Sequence, residues 1–145
     1  MYTIFEPKSK NDLESYLKLR WILLRRPWGG ERGTETDKFE QTSFHRAVKD
    51  NKNNIIGIGR IHFINQTAQI RYMAVKKSFW NKGIGSKVIR ELEKIASNNK
   101  IKKIFLNSRE NAIEFYQKKG YQTIKRVESS FGDITHYRME KILDN

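Results

Sequence analysis

The stretch Asn81-Lys82-Gly83-Ile84-Gly85-Ser86 stands directly before an apolar pattern of helical period. A helix start exposes unpaired N–H groups and partial positive charge, and glycine lets a ligand come close to the backbone. These residue types at this spacing make an anion site, and a phosphate is its natural occupant. A P-loop would need G-x-x-x-x-G-K-[ST], whereas Gly83 and Gly85 are one residue apart. A dinucleotide fingerprint would need a third glycine where Val88 stands, with an acidic strand end further on. Neither pattern is met.

Other residues could move protons. His45, His62 and His136 fall on strand-like runs, and Glu31, Glu35, Asp37 and Glu40 follow Trp28 in a glycine-rich polar segment. His62 alternates with Ile61 and Phe63 and so faces away from them. No two histidines have helical or tight-loop spacing, so no metal site is expected. The chain has no cysteine, which excludes disulfides, thiolate nucleophiles and Cys-ligated zinc.

The elements that must position these groups follow from periodicity. "YTIFEP" reads as a first strand. Leu13, Leu17, Trp21 and Leu24 lie at helical spacing, with Ser9 or Asn11 as N-cap and Pro27 as the stop. "SFHRAVKD", "IIGIGRIHFIN" and "QIRYMAV" read as strands of an antiparallel meander, the first two separated by the turn "NKNN". Ile84, Val88, Leu92, Ile95 and Ala96 mark one face of a helix over residues 83–97. "IKKIFLN" is a strand, and "NAIEFYQKKG" is a short helix with Gly120 in its C-cap region. "YQTIKRVES" and "DITHYRMEKIL" read as a closing hairpin. The order β-α-β-β-β-α-β-α-β-β implies a sheet of mixed direction, with "IRYMAV" and "IFLN" parallel across a right-handed crossover.

At 145 residues, 37% hydrophobic and 31% charged, the chain has the size and balance of one soluble domain. No run is long enough to span a bilayer, and "MYTIFEPKSK" lacks the apolar stretch of a signal peptide, so we expect a cytoplasmic protein without a membrane partner. The net charge of +13 comes from 29 Lys and Arg against 16 Asp and Glu. It suits a polyanionic partner or merely a solvated lysine-rich surface.

Residues 70–124, "IRYMAVKKSFWNKGIGSKVIRELEKIA" continuing to "IFLNSRENAIEFYQKKGYQTI", resemble the GCN5-related N-acetyltransferase (GNAT) family. That family has a strand ending like "MAV", a [RQ]-x-x-G-x-[GA] turn and a helix. A further strand and a helix matching Asn111, Ala112, Phe115, Tyr116, Gly120 and Tyr121 follow. Trp80 stands where the family has Arg or Gln.

The resemblance implies the acyl-CoA N-acyltransferase fold: a mixed, mostly antiparallel sheet with a central splayed parallel pair, flanked by helices, as one domain over residues 1–145. It implies acetyl-CoA as donor and an amine as acceptor. Amides of Lys82, Gly83, Ile84, Gly85 and Ser86 would hold the pyrophosphate, and the Met73, Ala74 and Val75 backbone would pair with the pantetheine arm. Phe115 belongs with these cofactor residues. Asn107 and Asn111 would contact the arm, or serve as plain caps. Tyr116 would hydrogen-bond the leaving thiolate, and the Val75 N–H would stabilise the oxyanion. Trp28, His45, His62 and His136 would face the acceptor, whose mouth the four carboxylates could make acidic.

"IRYMAV" offers Arg71 where relatives carry a catalytic carboxylate, so the base is open. A non-catalytic acetyl-CoA-binding regulator and a basic nucleic-acid-binding module stay as alternatives. Nucleic acid is disfavoured because the aromatic residues sit at core-like spacing. Family members often dimerise, and nothing in the sequence decides that.

Overall fold

A computed structural model describes residues 1–128 and 134–144. The end of "YQTIKRVES" and the start of "DITHYRMEKIL" lie outside the described residues. Seven strands form one sheet in the order β1-β2-β3-β4-β5-β7-β6. They are β1 (Thr3–Phe5), β2 (Phe44–Lys49), β3 (Ile55–Ile64), β4 (Thr67–Val75), β5 (Lys103–Arg109), β6 (Gln122–Val127) and β7 (His136–Ile142). All neighbours are antiparallel except β4 and β5. The helices α1 (Lys10–Leu24), α2 (Ile84–Asn98) and α3 (Ile113–Lys118) complete the expected order of elements.

Helix α1 begins where Ser9 Oγ accepts the Asp12 N–H at 3.0 Å, and a separate 3-10 turn, Arg26–Trp28, follows it with Pro27 in its first positions. Its buried residues are Tyr16, Leu19 and Arg20. The expected stripe of Leu13, Leu17, Trp21 and Leu24 is only half-buried. The reason is a polar partner set: Arg20 finds carboxylate and carbonyl acceptors in residues 31–40, which makes its burial tolerable.

Helix α2 follows its pattern closely, burying Ile84, Val88, Ile89, Leu92, Ile95 and Ala96. It lies tight on β3, because a Cβ at Gly59 would come within 2.5 Å of Val88 Cγ1. The larger apolar cluster gathers under α2 and α3, including Tyr116, Tyr121 and Met139. Tyr16, Leu19, Ala47 and Ile58 form a smaller cluster under α1 on the other face. The sheet therefore separates an α1 side from an α2/α3 side.

Two irregularities of β4 position the site. Its pairing with β3 shifts register between Ile58↔Ala74 and Arg60↔Arg71. The extra residues there are Tyr72 and Met73, opposite Gly59, and Tyr72 takes φ 60. A bulge of this kind re-aims side chains, and positive φ on an aromatic residue stores strain of about 1–3 kcal/mol. Secondly, β4 and β5 pair only through Thr67↔Lys103, Ala68↔Ile104 and Gln69↔Phe105. Beyond those residues the parallel pair separates.

Candidate active site

The separation of β4 and β5 opens a cavity of about 530 Å³, lined along its length by residues 69–75 of β4 and 106–109 of β5. This size suits a small-molecule site. Met73, Ala74, Val75, Asn107, Asn111, Tyr116 and His136 all line it, so seven of the sequence candidates converge there. The Tyr116 hydroxyl has no hydrogen-bond partner among the described residues, and burial raises its pKa above the ordinary phenol value.

The backbone of β4 supplies further polar groups. Lys76 N–H donates to Ile56 O at 2.8 Å across the ladder. Strand alternation then turns the N–H and C=O of the preceding residue, Val75, toward the β5 edge and the opening. That carbonyl already has a partner: Trp80 Nε1–H donates to Val75 O at 2.7 Å. Trp80 also lines the cavity and is 52% exposed.

The glycine turn and Phe115 do not line the cavity; the turn approaches it at Gly85, where a Cβ would lie 3.9 Å from Val75 Cγ2. Lys82 and Gly83 are exposed, and Gly83, the α2 N-cap, has φ 78 with nothing within 4 Å of a Cβ built on it. The first bond of α2 runs from Lys87 N–H to Gly83 O at 3.0 Å. The amides of Ile84, Gly85 and Ser86 precede it and have no capping side chain, so they are free to meet an anion. A Cβ on Gly85 would come within 3.3 Å of the Phe115 ring. Phe115 thus lies behind the turn as its support, adjacent in sequence to Tyr116, and the turn and Tyr116 share the α2/α3 side.

The histidines part company. His45 Nε2 donates to Glu40 O at 2.8 Å, and its Nδ1 lies 2.9 Å from the Tyr16 hydroxyl. His62 stacks on Phe39 with ring centroids 4.1 Å apart, and its Nδ1 accepts from Arg60 Nη2 at 3.1 Å. Neither lines the cavity. His136 does, from the start of β7, where it pairs with Arg109. Burial first, then repulsion from Arg109, Arg25 and Arg71, holds the His136 pKa below its ordinary value despite the opposing backbone of Ile134. Trp28 is 47% exposed, with the Arg109 guanidinium 5.8 Å from its ring.

The expected acidic mouth is reversed. Asp37 takes Arg60 in a fork, at 2.6 and 2.9 Å, and Arg71 at 2.8 Å. Glu40 Oε1 accepts from Arg20 at 2.6 Å and Arg60 at 2.7 Å, both arginines being fully buried. Burial would raise the Asp37 pKa, but Arg60 and the Phe39 N–H outweigh it and hold the carboxyl well below the usual range. Glu35 is buried and accepts the Gly33 N–H at 2.7 Å. Asp37 and Glu40 tie their segment to Arg20 of α1 and to Arg60 and Arg71 of the sheet, Glu35 braces its own turn, and none of the three lines the cavity.

Several lining residues escaped the sequence reading. Arg25, Tyr72, Lys77, Arg109 and Glu128 all contribute to the wall. Tyr72 is ringed by guanidinium groups, with Arg20 at 4.2 Å, Arg71 at 4.7 Å, Arg60 at 4.9 Å and Arg25 at 5.5 Å from its centroid. Only the bulge brings it there, and no local pattern announces that. Among the described residues no group of three His, Cys, Asp or Glu could hold a metal ion. No helix among them is long and apolar enough to cross a membrane.

The family model described as the acetyltransferase (GNAT) family matches residues 12–121. The chain belongs to the GNAT family. A relative from Bacillus subtilis (strain 168), the uncharacterized N-acetyltransferase YjcF, is 30% identical over 74% of this chain and 76% of its own length. Among solved structures, an acetyltransferase of the GNAT family from Staphylococcus aureus Mu50 superposes with TM-score 0.79 at 19% identity, covering 99% of this chain and 100% of that one. An aminoglycoside 6′-N-acetyltransferase complexed with coenzyme A gives TM-score 0.79 at 14% identity, over 98% and 96% of the two chains. These likenesses carry the GNAT fold over 98–99% of the chain, beyond residues 12–121.

Proposed function

We propose that residues 1–145 work as one domain that transfers an acetyl group from acetyl-CoA to a primary amine. The reading is carried by one observation: β4 and β5 part after three residue pairs, and the free Tyr116 hydroxyl stands on the wall of the opening. The residues present suit the donor. The opening offers strand-edge groups of β4 for an extended arm, and the free amides before Lys87 suit a diphosphate. One group fits less well, since the Val75 carbonyl is held by Trp80.

When bound, the donor supplies a thioester carbonyl, which is the electrophile. The N–H of Val75 faces the opening and would stabilise charge developing on that oxygen. Burial keeps Tyr116 protonated, so its hydroxyl would be able to donate a hydrogen bond to the leaving sulfur of the donor. Its low pKa keeps His136 neutral near pH 7, so it can accept the proton that the amine must lose. Asn107 and Asn111 are exposed in the wall, where they would orient the arm.

Two measurements test this. Calorimetric titration with acetyl-CoA gives a micromolar Kd, and a panel of amines releases free thiol in proportion to acetylated product. Binding without thiol release from any amine would favour the regulator reading. Absence of binding would remove both.

A further inference from the structure

The α1-side wall of the cavity carries more positive charge than a neutral or cationic acceptor would tolerate. Arg25, Arg71, Lys77 and Arg109 line the cavity, and Glu128 is the one carboxylate among the described lining residues. Arg71 is matched by Asp37, and Arg25 donates to the carbonyls of Thr34 and Leu24. The Arg109 guanidinium has no carboxylate or hydrogen-bond partner among the described residues, and its contact is the Trp28 ring at 5.8 Å. Burial, then repulsion from Arg25, lowers the Arg109 pKa. An arginine half-withdrawn from water beside another arginine is costly unless an anion joins it.

The diphosphate of the donor does not account for this charge. Along β5, Leu106 belongs to the apolar cluster under α2 and α3. Strand alternation puts Ser108 on that same side and Arg109 on the other. Arg109 accordingly meets Trp28 and Arg25, which both follow α1. The free α2 amides stand on the opposite side, where Gly85 faces Phe115.

We propose that Arg109, with Arg25 beside it, receives an anionic group of the acceptor, so that the amine substrate is one bearing a carboxylate or a phosphate monoester. This rests on the acetyl-transfer reading for the amine but not for the anion. Arg25, the residue that caps the end of α1, and Arg109 of β5 line one wall. Such a geometry can fork onto two oxygens of a planar or tetrahedral anion. His136, paired with Arg109 across β5 and β7, then stands close to the amine end. Polyamines and aminoglycoside-like polycations are excluded by the same charge.

The test uses the whole chain saturated with coenzyme A, titrated calorimetrically with 2-aminoethyl phosphate, L-glutamate, ethanolamine and 1,4-diaminobutane. We expect at least one of the two acidic amines to bind roughly tenfold or more tighter than ethanolamine, and the diamine to bind least. The better of the two acidic probes tells a phosphate site from a carboxylate site. In R109Q that advantage shrinks roughly tenfold, about 1.4 kcal/mol. R109K recovers part of it, and the coenzyme A Kd stays put. Tighter binding of ethanolamine or the diamine overturns the proposal, as does a loss of coenzyme A affinity in R109Q.

Thiol release separates the two readings. If no amine releases thiol but acidic amines bind through Arg109, acetyl transfer fails and the anion site stands. If ethanolamine or the diamine is the best thiol-releasing acceptor, acetyl transfer stands and the anion site falls.

Discussion

Trp80 donates its indole N–H to the carbonyl oxygen of Val75 at 2.7 Å. Val75 ends β4 at the edge of the opening, so the bond occupies an acceptor that an extended ligand arm would use. Trp80 stands where the family carries Arg or Gln, side chains that place no ring there. Replacing it by phenylalanine keeps an aromatic ring and frees the carbonyl. A net hydrogen bond is worth about 1 kcal/mol. Trp80→Phe should therefore lower the acetyl-CoA Kd roughly fivefold, as read by calorimetry. An equal or weaker affinity would mean the indole does not compete.

Tyr116→Phe removes only the free hydroxyl and leaves the ring among Phe115 and Tyr121. We predict a fall in kcat of about 10²-fold with the acetyl-CoA Kd unchanged. The raised pKa gives the sign of the pH effect: the hydroxyl stays protonated through pH 9, so wild-type activity has no alkaline limb from this group. Unaltered turnover in the phenylalanine variant would remove Tyr116 from the chemistry.

Asp37→Asn should be the most damaging conservative change outside the cavity. It takes the fork from fully buried Arg60 and the partner from Arg71. Breaking a buried pair on one side costs about 3 kcal/mol or more. Glu114→Gln, which breaks the exposed pair with Lys118 at 3.4 Å, should cost less than about 0.5 kcal/mol. Urea denaturation of the two variants compares them directly. Similar midpoints would mean that the arginine network contributes nothing special.

Acidification should destabilise the fold before any carboxylate titrates. Burial lowers the pKa values of His45, His62 and His136, with Arg60 adding to the effect at His62. The folded chain then binds fewer protons than the unfolded one below about pH 6.5. Their contribution is whole above that pH and is lost as pH falls toward the folded values. Asp37 adds a loss of the same sign below about pH 4. Melting temperatures at pH 7.5, 6.5 and 5.5 should decline, less steeply in His62→Gln. A flat profile over that span would contradict the buried neutral histidines.

The sequence carried the order of elements because strand alternation, the α2 stripe and the turn residues are local signals. The Ser9 cap and the positive φ of Asn53 in "NKNN" are examples. The family motif pointed to Tyr116, which lines the cavity, and to residues 82–86, which lie outside its lining. What was not legible was made by residues far apart in the chain. Arg20 is buried because Glu40, twenty positions on, meets it, and the apolar stripe of α1 carries no sign of that partner. His45 and His62 looked like candidates, but residues 31–40 and α1 fold over them. The cationic wall draws Arg25, Arg71 and Arg109 from three elements, and Asp37 was read as acceptor-facing when it is an anchor for arginine.

Each lip of the opening has a brace of its own. Strand β4 is laddered to β3 on one side, and β5 holds seven register pairs with β7 on the other. The gap is thus a product of two independently fastened half-sheets, hinged only through Thr67, Ala68 and Gln69. A ligand entering it need not pry strands apart, so none of its binding energy goes to opening the sheet. A change that shortens the β5–β7 ladder would slacken the cleft without touching a single lining side chain.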